Sequence, residues 1–259
     1  MSAVETQPYP PALRLGMALF HDFDGSLVAL AARPEAITVS DHLRRLLLTM
    51  EILLDGAFAL VSGRRLADLD RYFHGHHFAG AGVHGAELRR LAGGVIEQAQ
   101  PACAQGLVQA LRSHFADDPR ILIEDKQQSV ALHYRLAPER EAECAEVVFR
   151  LSQIEGLKVQ PGKMVFEALP TDIDKGRAVQ ALMAAAPFAG RVPVFVGDDT
   201  TDEHGMTAVQ QLGGFGVKVG AGASLAQYRL PSIGRVHDWL AAAVPAPVLQ
   251  GAHPPAGVF

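Results

Sequence analysis

The sequence predicts an α/β fold: a parallel sheet flanked by helices, interrupted by an inserted α+β segment with an antiparallel sheet. In the first and last thirds of the chain, short apolar runs alternate with segments of helical period, which is the pattern of a parallel sheet wrapped by helices. Two of these runs, residues 17–20 and 192–196, lead into clusters of aspartate. The middle third places pairs of strand runs beside helical segments, which indicates an open antiparallel sheet.

The first third predicts strand, helix, strand, helix, strand. The strand runs are residues 17–20, 57–61 and 78–83. Ser40 is a favourable N-cap for a helix over residues 41–54, where leucines recur at helical spacing. A shorter helical pattern covers residues 65–73.

The middle and last thirds predict two different arrangements. The middle runs are helix 102–115, strands 121–124 and 130–134, helix 139–154, and strands 157–160 and 164–169. The last runs are helix 175–186, strand 192–196, helix 201–212, strand 216–219 and helix 236–243. We therefore expect a discontinuous core domain of residues 1–87 and 170–259 and a second domain of residues 88–169. The tail over 244–259 is rich in proline, alanine and glycine, and we expect it to be loosely ordered.

Composition narrows the class of protein. The chain has 259 residues, 49% of them hydrophobic, and can bury a core without disulfides or a structural metal. Its 23 basic and 28 acidic residues give a formal charge of −5, which disfavours non-specific nucleic-acid binding. Cys103 and Cys144 have no metal-like spacing, so we expect a reducing compartment. With no secretory-signal pattern and no apolar run of membrane-spanning length, we expect a cytoplasmic protein that does not bind membranes.

An acidic pair, Asp22 and Asp24, follows the first strand run. The carboxyl ends of parallel strands form the ligand-binding edge of an open α/β sheet. Two carboxylates this close repel each other unless a cation lies between them or one is protonated. An acidic turn is the alternative, because aspartate and glycine are common in turns. An EF-hand is disfavoured, since Leu27 and Arg33 occupy its glycine and glutamate positions.

A second acidic cluster, Asp198, Asp199 and Asp202, follows the strand run over 192–196. The acidic first turn of a helix would explain Asp202. It does not explain Asp198 and Asp199, which precede the helix. Two acidic strand ends in one chain favour a hard-cation site, and Mg²⁺ prefers a few carboxylates, water and phosphate oxygens.

Two further residues stand at the ends of predicted elements. Ser62 follows a strand run, where a hydroxyl and free helix N–H groups suit a phosphate, although a plain N-cap is the alternative. Lys175 begins a helix, where a lysine is unfavourable unless an anion offsets its charge, although a solvated lysine costs little.

In chain order, Asp-x-Asp, serine, lysine and Asp-Asp resemble the haloacid-dehalogenase (HAD-like) superfamily of phosphotransferases, and the match spans nearly the whole chain. Four further stretches resemble the trehalose-6-phosphate phosphatases of that superfamily: residues 81–87, 130–135, 166–170 and 197–203. The resemblance implies a Rossmann-like HAD core with an inserted α+β cap domain over residues 88–169. It also implies Mg²⁺-dependent hydrolysis of trehalose 6-phosphate through an aspartyl-phosphate, as part of trehalose biosynthesis.

The resemblance assigns catalytic roles residue by residue. Asp22 would be the nucleophile, and Asp24 the general acid for the leaving sugar oxygen and later the base for water. Ser62 and Lys175 would hold the phosphoryl oxygens. The metal site would comprise the Asp22 carboxylate, the Asp24 main-chain carbonyl, Asp198 and Asp199, with Asp202 in support.

The resemblance also supplies candidate contacts to the sugar or phosphate. The cap candidates are Lys126, His133, Arg135, Lys163 and Glu167, and the core candidates are Phe23, Arg64, His84 and Glu87. Glu167 lies in an apolar run, where an unpaired charge would be costly, which favours a functional role. His133 and Arg135 alternate with apolar residues, so the solvated face of a strand is the alternative.

Three other functions are compatible with parts of this sequence. Another capped sugar-phosphate phosphatase, acting on sucrose 6-phosphate or a mannosyl-phosphoglycerate, would share the site chemistry and differ in the cap. A catalytically silent sugar-phosphate-binding domain that regulates a synthase is disfavoured by the intact acids and lysine. A dinucleotide-binding domain is disfavoured because the glycine pattern at 220–222 lacks its third glycine. We expect a phosphosugar ligand and a trehalose-6-phosphate synthase as the pathway partner.

Overall fold

A computed structural model of the chain describes residues 7–30, 36–98 and 105–244. Its strands are β1 (Met17–His21), β2 (Phe58–Val61), β3 (Ala79–Gly82), β4 (Glu87–Arg89), β5 (Glu97–Gln98), β6 (Leu122–Asp125), β7 (Val130–His133), β8 (Leu157–Gly162), β9 (Val165–Pro170), β10 (Val192–Gly197), β11 (Phe215–Val219) and β12 (Tyr228–Leu230). Its α-helices are α1 (Asp41–Leu53), α2 (Leu66–Asp70), α3 (Gln105–His114), α4 (Glu141–Ile154), α5 (Lys175–Met183), α6 (Asp202–Gln211) and α7 (Ile233–Ala242). Short 3₁₀ turns cover Arg71–Phe73, Val83–Gly85 and Pro138–Arg140.

The larger sheet has eight strands in the order β12-β11-β10-β1-β2-β3-β4-β5. It is parallel from β12 to β3, and β4 and β5 extend it antiparallel at one edge. Because β1 lies between β2 and β10, the strand order reverses there. In open α/β sheets, ligands bind at the carboxyl ends of the strands where the order reverses. The ends of β1, β2 and β10 therefore form one edge suited to a ligand.

The core around β1 fixes the position of that edge. Every residue of β1 is buried, as expected for a central parallel strand covered on both faces. Phe20 of this strand stacks on Phe188, with ring centroids 5.3 Å apart. Ser40 caps α1 by accepting a hydrogen bond from the Leu43 N–H at 3.2 Å. Each large apolar side chain buried in this way contributes about 2 kcal/mol, so the strand ends are held firmly.

The smaller sheet has four strands in the order β6-β7-β9-β8, all antiparallel. Successive side chains of a strand point to opposite faces. Leu132 of β7 and Phe166 of β9 belong to an apolar cluster with residues of α3 and α4, so one face is covered by helices. Their neighbours His133 and Glu167 line a cavity on the other face. This sheet therefore presents a polar face towards the larger sheet's ligand edge.

The predicted α/β fold with an inserted antiparallel sheet is confirmed, and most predicted elements begin and end within a few residues of the observed ones. The helix predicted over 65–73 is α2 followed by a 3₁₀ turn. The helix predicted over 175–186 ends at Met183. The sequence pattern misses β4, β5 and β12 because each has only two or three residues, too few to show a period.

The predicted domain boundaries stay a prediction. β4 and β5 belong to the eight-stranded sheet, although residues 88–98 fall within the segment predicted as the second domain. The tail predicted over 244–259 lies outside the described residues apart from Val244, as does the start of the helix predicted over 102–115. Within the three described segments, no helix has both the length and the apolar character that crossing a membrane requires.

Candidate active site

The ends of β1 and β10 bring three carboxylates together. The strand register pairs His21 with Val196, and the Asp22 N–H donates to the Val196 carbonyl at 2.9 Å. The acidic sequence that follows β10 therefore lies beside Asp22. One carboxylate oxygen from each of Asp22, Asp198 and Asp202 lies within 4.8 Å of the others, and all three residues are buried.

Lys175, the first residue of α5, links two of these acids. Its Nζ donates to Asp22 Oδ1 at 2.7 Å and to Asp202 Oδ1 at 2.6 Å. Asp174 caps the helix by accepting from the Arg177 N–H at 2.9 Å, which fixes the helix start from which Lys175 points inward. Burial alone would lower the pKa of Lys175, but Asp202 and Asp22 raise it well above its usual range. The lysine is therefore a fixed positive charge.

The charge of the acid cluster is only partly offset. Burial, followed by the charge of Asp202, raises the pKa of Asp22 well above its usual range. Burial also raises the pKa of Asp198, although Lys163 from the β8–β9 turn pairs with its carboxylate. Crowded, buried carboxylate oxygens with excess negative charge are ligands that a hard divalent cation prefers. The residues present therefore fit Mg²⁺.

Asp202 holds the chain that carries Asp198. Its Oδ2 accepts from the N–H groups of Asp198 and Asp199, each at 2.9 Å, while its Oδ1 is occupied by Lys175. Gly197 permits this arrangement, because a Cβ there would collide with the Asp202 side chain. Both oxygens of Asp202 are engaged within the protein, which is the geometry that a supporting residue needs.

Asp24 faces Arg64. The guanidinium donates from Nε to Asp24 Oδ2 at 2.6 Å and from Nη2 to Oδ1 at 2.9 Å. It also lies 5.8 Å from the ring centroids of Phe23 and Tyr72. Ser62 is buried at the end of β2, and its Oγ accepts from the Arg64 N–H at 3.1 Å. The loop after β2 thus places a hydroxyl and a guanidinium beside the carboxylates that follow β1.

The smaller sheet contributes its own buried carboxylate, Glu167 of β9. Its Oε2 accepts from Lys126 Nζ at 2.9 Å and lies 3.0 Å from His84 Nε2, and its Oε1 accepts from Ser129 Oγ at 2.5 Å. Lys126 Nζ also donates to the Gly63 carbonyl at 2.8 Å, which ties this cluster to the loop after β2. Burial alone would raise the pKa of Glu167, but Lys126 and His84 lower it well below its usual range.

His84 reaches this cluster because of an unusual backbone turn. Val83 and His84 both have left-handed φ values, 47° and 56°. Such values are costly for a β-branched residue and persist where the surroundings hold them. Here the Val83 N–H donates to the Arg64 carbonyl at 2.9 Å and the His84 N–H to the Ser62 carbonyl at 3.0 Å.

A cavity of about 440 Å³ joins the two clusters, a volume typical of small-molecule sites. The predicted residues that line it are Asp22, Asp24, Ser62, Arg64, His84, Lys126, His133, Arg135, Lys163, Glu167, Lys175, Asp198, Asp199 and Asp202. Side chains from both sheets therefore face one space.

Two predicted substrate contacts lie elsewhere. The Phe23 ring is fully buried and stacks on Tyr72 with centroids 5.4 Å apart, so it supports Arg64 from beneath. Glu87 is buried beside the start of α2, where its Oε2 accepts from the Leu66 N–H at 2.8 Å. Neither residue belongs to the cavity lining.

Sequence reasoning missed Glu124, which lines the cavity with its Oε2 2.8 Å from His133 Nε2. Burial would raise the pKa of Glu124, but His133 and Lys126 lower it. The signal was available, because Glu124 precedes Lys126 by two residues and side chains two apart in a strand share a face. It also missed the buried Lys218, whose only signal is one lysine in an apolar strand run.

Comparison with known proteins identifies relatives over most of the chain. The family model described as trehalose-phosphatase matches residues 20–233. Trehalose-6-phosphate phosphatase of Escherichia coli strain K12 is 40% identical over 232 residues, which cover 89% of this chain and 87% of the relative. A probable trehalose-phosphate phosphatase of Sinorhizobium fredii is 41% identical over 205 residues, 78% of this chain and 77% of the relative.

Solved structures agree on the fold. The C-terminal domain of the C. albicans trehalose-6-phosphate phosphatase superposes with a TM-score of 0.80 at 20% identity, covering 93% of this chain and 99% of that one. A trehalose-6-phosphate phosphatase related protein gives a TM-score of 0.72 at 23% identity, with coverages of 87% and 96%. At these identities the structural likeness shows the fold, and the sequence matches show the family. The chain belongs to the trehalose-phosphatase family.

Proposed function

We propose that this protein hydrolyses trehalose 6-phosphate to trehalose and inorganic phosphate, with Asp22 as the nucleophile. The named activity of the relatives at 40% identity supports the substrate. The observation that carries the proposal is one cavity lined both by the acid cluster with Lys175 and by the polar face of the smaller sheet. The first set suits a phosphoryl group, and the second offers donors and acceptors to sugar hydroxyls.

The proposed cofactor is Mg²⁺, held by the Asp22 and Asp198 carboxylates and the Asp24 main-chain carbonyl, with Asp199 and Asp202 nearby. When bound, the ion would neutralise the crowded acids and polarise the phosphoryl oxygens. Lys175 already offsets part of the charge on Asp22 at 2.7 Å. Phosphoryl transfer depends mainly on positioning and on such electrostatic stabilisation.

In the first proposed step, a carboxylate oxygen of Asp22 attacks the phosphorus. The bond from phosphorus to the sugar oxygen breaks, and protonated Asp24 gives its proton to that oxygen, so trehalose leaves and Asp22 carries the phosphoryl group. Lys175 and the Ser62 hydroxyl hold the phosphoryl oxygens. Arg64 now pairs with Asp24, and for this step it must exchange that carboxylate for a substrate oxygen.

In the second proposed step, the Asp24 carboxylate takes a proton from water. The water oxygen attacks phosphorus, the bond to Asp22 breaks with its electron pair returning to the carboxylate, and inorganic phosphate leaves. A carboxylate acts as a nucleophile at phosphorus once its charge is offset, and the same acid serves in both directions of proton transfer.

We assign the recognition of the sugar to the smaller sheet. Six of its polar or charged residues line the cavity: Glu124, Lys126, His133, Arg135, Lys163 and Glu167. The smaller sheet with α3 and α4, within the cap domain predicted over residues 88–169, would close over the sugar and exclude water. The cytoplasmic location and the pathway partnership with a trehalose-6-phosphate synthase stay predictions.

The test is phosphate release from trehalose 6-phosphate, sucrose 6-phosphate and a mannosyl-phosphoglycerate, each with Mg²⁺ and with a chelator. We expect kcat/KM for trehalose 6-phosphate to exceed the others by about a hundredfold or more, because unmatched buried polar groups penalise the wrong sugar. We expect the chelator to abolish release. Preference for another sugar would support a related phosphatase, and equally slow release by the wild type and Asp22→Asn would support a silent binding domain.

A further inference from the structure

Lys218 is a buried cation that the proposed chemistry does not use. It lies in β11, is 4% exposed, and is not part of the cavity lining. Its Nζ donates to two main-chain carbonyls, those of Asp198 and Val219, each at 2.8 Å. Burial lowers the pKa of Lys218, because the buried position disfavours its charged form. An apolar side chain at this position would bury no charge.

The partner of Lys218 indicates why a lysine is present. Asp198 follows β10, which pairs with β11 so that Gly197 lies opposite Lys218. The Asp198 N–H is held by Asp202 Oδ2 at 2.9 Å, and its carbonyl is held by Lys218. Both polar groups of the Asp198 main chain are therefore fixed by side chains.

The Asp198 side chain is confined as well. Gly25, with φ of 88°, allows the carboxylate to pack against its backbone, because a Cβ there would collide with the Asp198 oxygens. Ser26 Oγ donates to Asp198 Oδ1 at 3.3 Å. These contacts fix the main chain and one oxygen of Asp198. The carboxylate lines the cavity, where Lys163 pairs with it and an oxygen of Asp22 lies within 4.8 Å, so a cation at this site takes the place of the Lys163 ammonium.

We propose that Lys218 is a positioning residue for the divalent-cation site, which acts by holding the Asp198 carbonyl so that the Asp198 carboxylate faces the metal. The proposal rests on the proposed Mg²⁺ site. Partners that orient a metal ligand without touching the metal typically change metal affinity by about 10- to 100-fold when they are removed.

Two possible effects of Lys218 have opposite signs, which makes the proposal testable. If its positive charge mattered most, its removal would reduce repulsion and tighten Mg²⁺ binding. If its hydrogen bond to Asp198 matters most, its removal frees the carboxylate and weakens binding. The proposal requires weaker binding.

The experiment compares wild type, Lys218→Met and Lys158→Met by calorimetric titration of the full chain with Mg²⁺, in the absence of substrate and phosphate. Lys158 is the control, because it also donates to a main-chain carbonyl, that of Thr171 at 3.1 Å, but is only half-buried, lies in β8 and does not line the cavity. We expect a Kd about tenfold higher for Lys218→Met and no change for Lys158→Met. We also expect a higher Mg²⁺ concentration for half-maximal activity, with most of kcat recovered at saturation, which general loosening of the fold would not produce.

Unchanged or tighter binding by Lys218→Met would overturn the proposal. If that variant does not fold, Lys218→Leu, which also removes the N–H donor, decides in its place: weaker binding than wild type supports the role, and unchanged or tighter binding overturns it. A wild type that neither binds Mg²⁺ nor releases phosphate would count against the proposed function. If the wild type does both, the result for Lys218→Met tests the positioning role alone.

Discussion

Asp22 and Glu167 are two carboxylates on the same cavity that are buried to the same degree, 4% and 5% exposed, and yet are perturbed in opposite directions. Burial disfavours the ionised form of both. Around Asp22 the next contribution is another acid, Asp202, and the pKa rises. Around Glu167 the next contributions are Lys126 and His84, and the pKa falls. The direction of each pKa shift is therefore set by the neighbouring charges and not by burial alone.

The difference lies in what each centre lacks. The Asp22 centre has more acids than cations within reach, so it gains by taking up a divalent ion. The Glu167 centre is matched by a lysine, an imidazole and a hydroxyl, so it is complete without an ion and can offer ordered donors and acceptors to a neutral sugar. In the proposed function, this difference in charge balance separates phosphoryl chemistry from sugar recognition.

The largest expected effect is the loss of chemistry at Asp22. Asp22→Asn keeps the shape and removes the nucleophile, so kcat for trehalose 6-phosphate should fall by about 10⁴-fold or more. Asp238→Asn is the control, because Asp238 is an exposed aspartate paired with Arg235 on α7. Phosphate release at saturating Mg²⁺ measures both. Substantial activity in Asp22→Asn would show that Asp22 is not the nucleophile.

The second effect concerns selectivity. Glu167→Gln should lower kcat/KM for trehalose 6-phosphate by about a hundredfold, because it leaves Lys126 buried without its charged partner. With a small aryl phosphate, which lacks the sugar, the loss should stay within about fivefold. Equal losses with both substrates would show that the Glu167 cluster supports the phosphoryl end through Gly63, and the separation of roles would fail.

Much of the Asp22 centre could be predicted from the sequence, because its residues come directly after strand runs. Parallel strands align their carboxyl ends, so Asp22, Ser62 and Asp198 had to meet once the strand order was right. Lys175 was placed by its position at a helix start. Local pattern plus one rule of sheet topology was sufficient for these four residues.

The Glu167 centre could be predicted only in part. A glutamate in an apolar run signals that a partner exists but does not say which one. Ser129 and the Gly63 carbonyl are identified only by the pairing of β7 with β9 and by the contact between the two sheets. Phe23 and Glu87 show the converse, since both are buried outside the cavity lining, where Phe23 packs on Tyr72 and Glu87 accepts from the Leu66 N–H.

The third effect is on stability at neutral pH without metal, where the two centres should respond with opposite signs. The pKa of Asp22 in the folded protein lies above its value of 3.8 in the unfolded chain, so this carboxyl group destabilises the fold at neutral pH. Asp22→Asn should therefore raise the free energy of unfolding by about 1 kcal/mol. Glu167→Gln should lower the free energy of unfolding by about 3 kcal/mol, because it removes the carboxylate that pairs with the buried Lys126. Urea unfolding in chelator measures both, and changes of the same sign would contradict the comparison.

The fourth effect is the acid dependence of that stability. The folded-state pKa of Glu167 lies below its unfolded value of 4.5, so its contribution is fully present above that pH and is lost as the pH falls towards the folded-state value. Between about pH 5 and pH 3, the wild type should therefore lose on the order of 1 to 2 kcal/mol more than Glu167→Gln. Parallel pH profiles of the two proteins would show that Glu167 is not held in its ionised form.

The smallest effect tests a single hydrogen bond. Ser129 donates to Glu167 Oε1 at 2.5 Å, and Ser129→Ala should cost about 1 to 2 kcal/mol, since the bond goes to a charged acceptor. Ser152→Ala is the matched control: Ser152 is equally buried, in α4, and its hydroxyl has no hydrogen-bond partner within the part of the chain that the structure describes. Removing an unpaired buried hydroxyl should be neutral or slightly stabilising. Thermal unfolding distinguishes the two, because about 1 kcal/mol shifts Tm by roughly 2 to 4 °C in a chain of this size. If both variants melt alike, Ser129 does not help to hold Glu167, and the balance of that centre rests on Lys126 and His84.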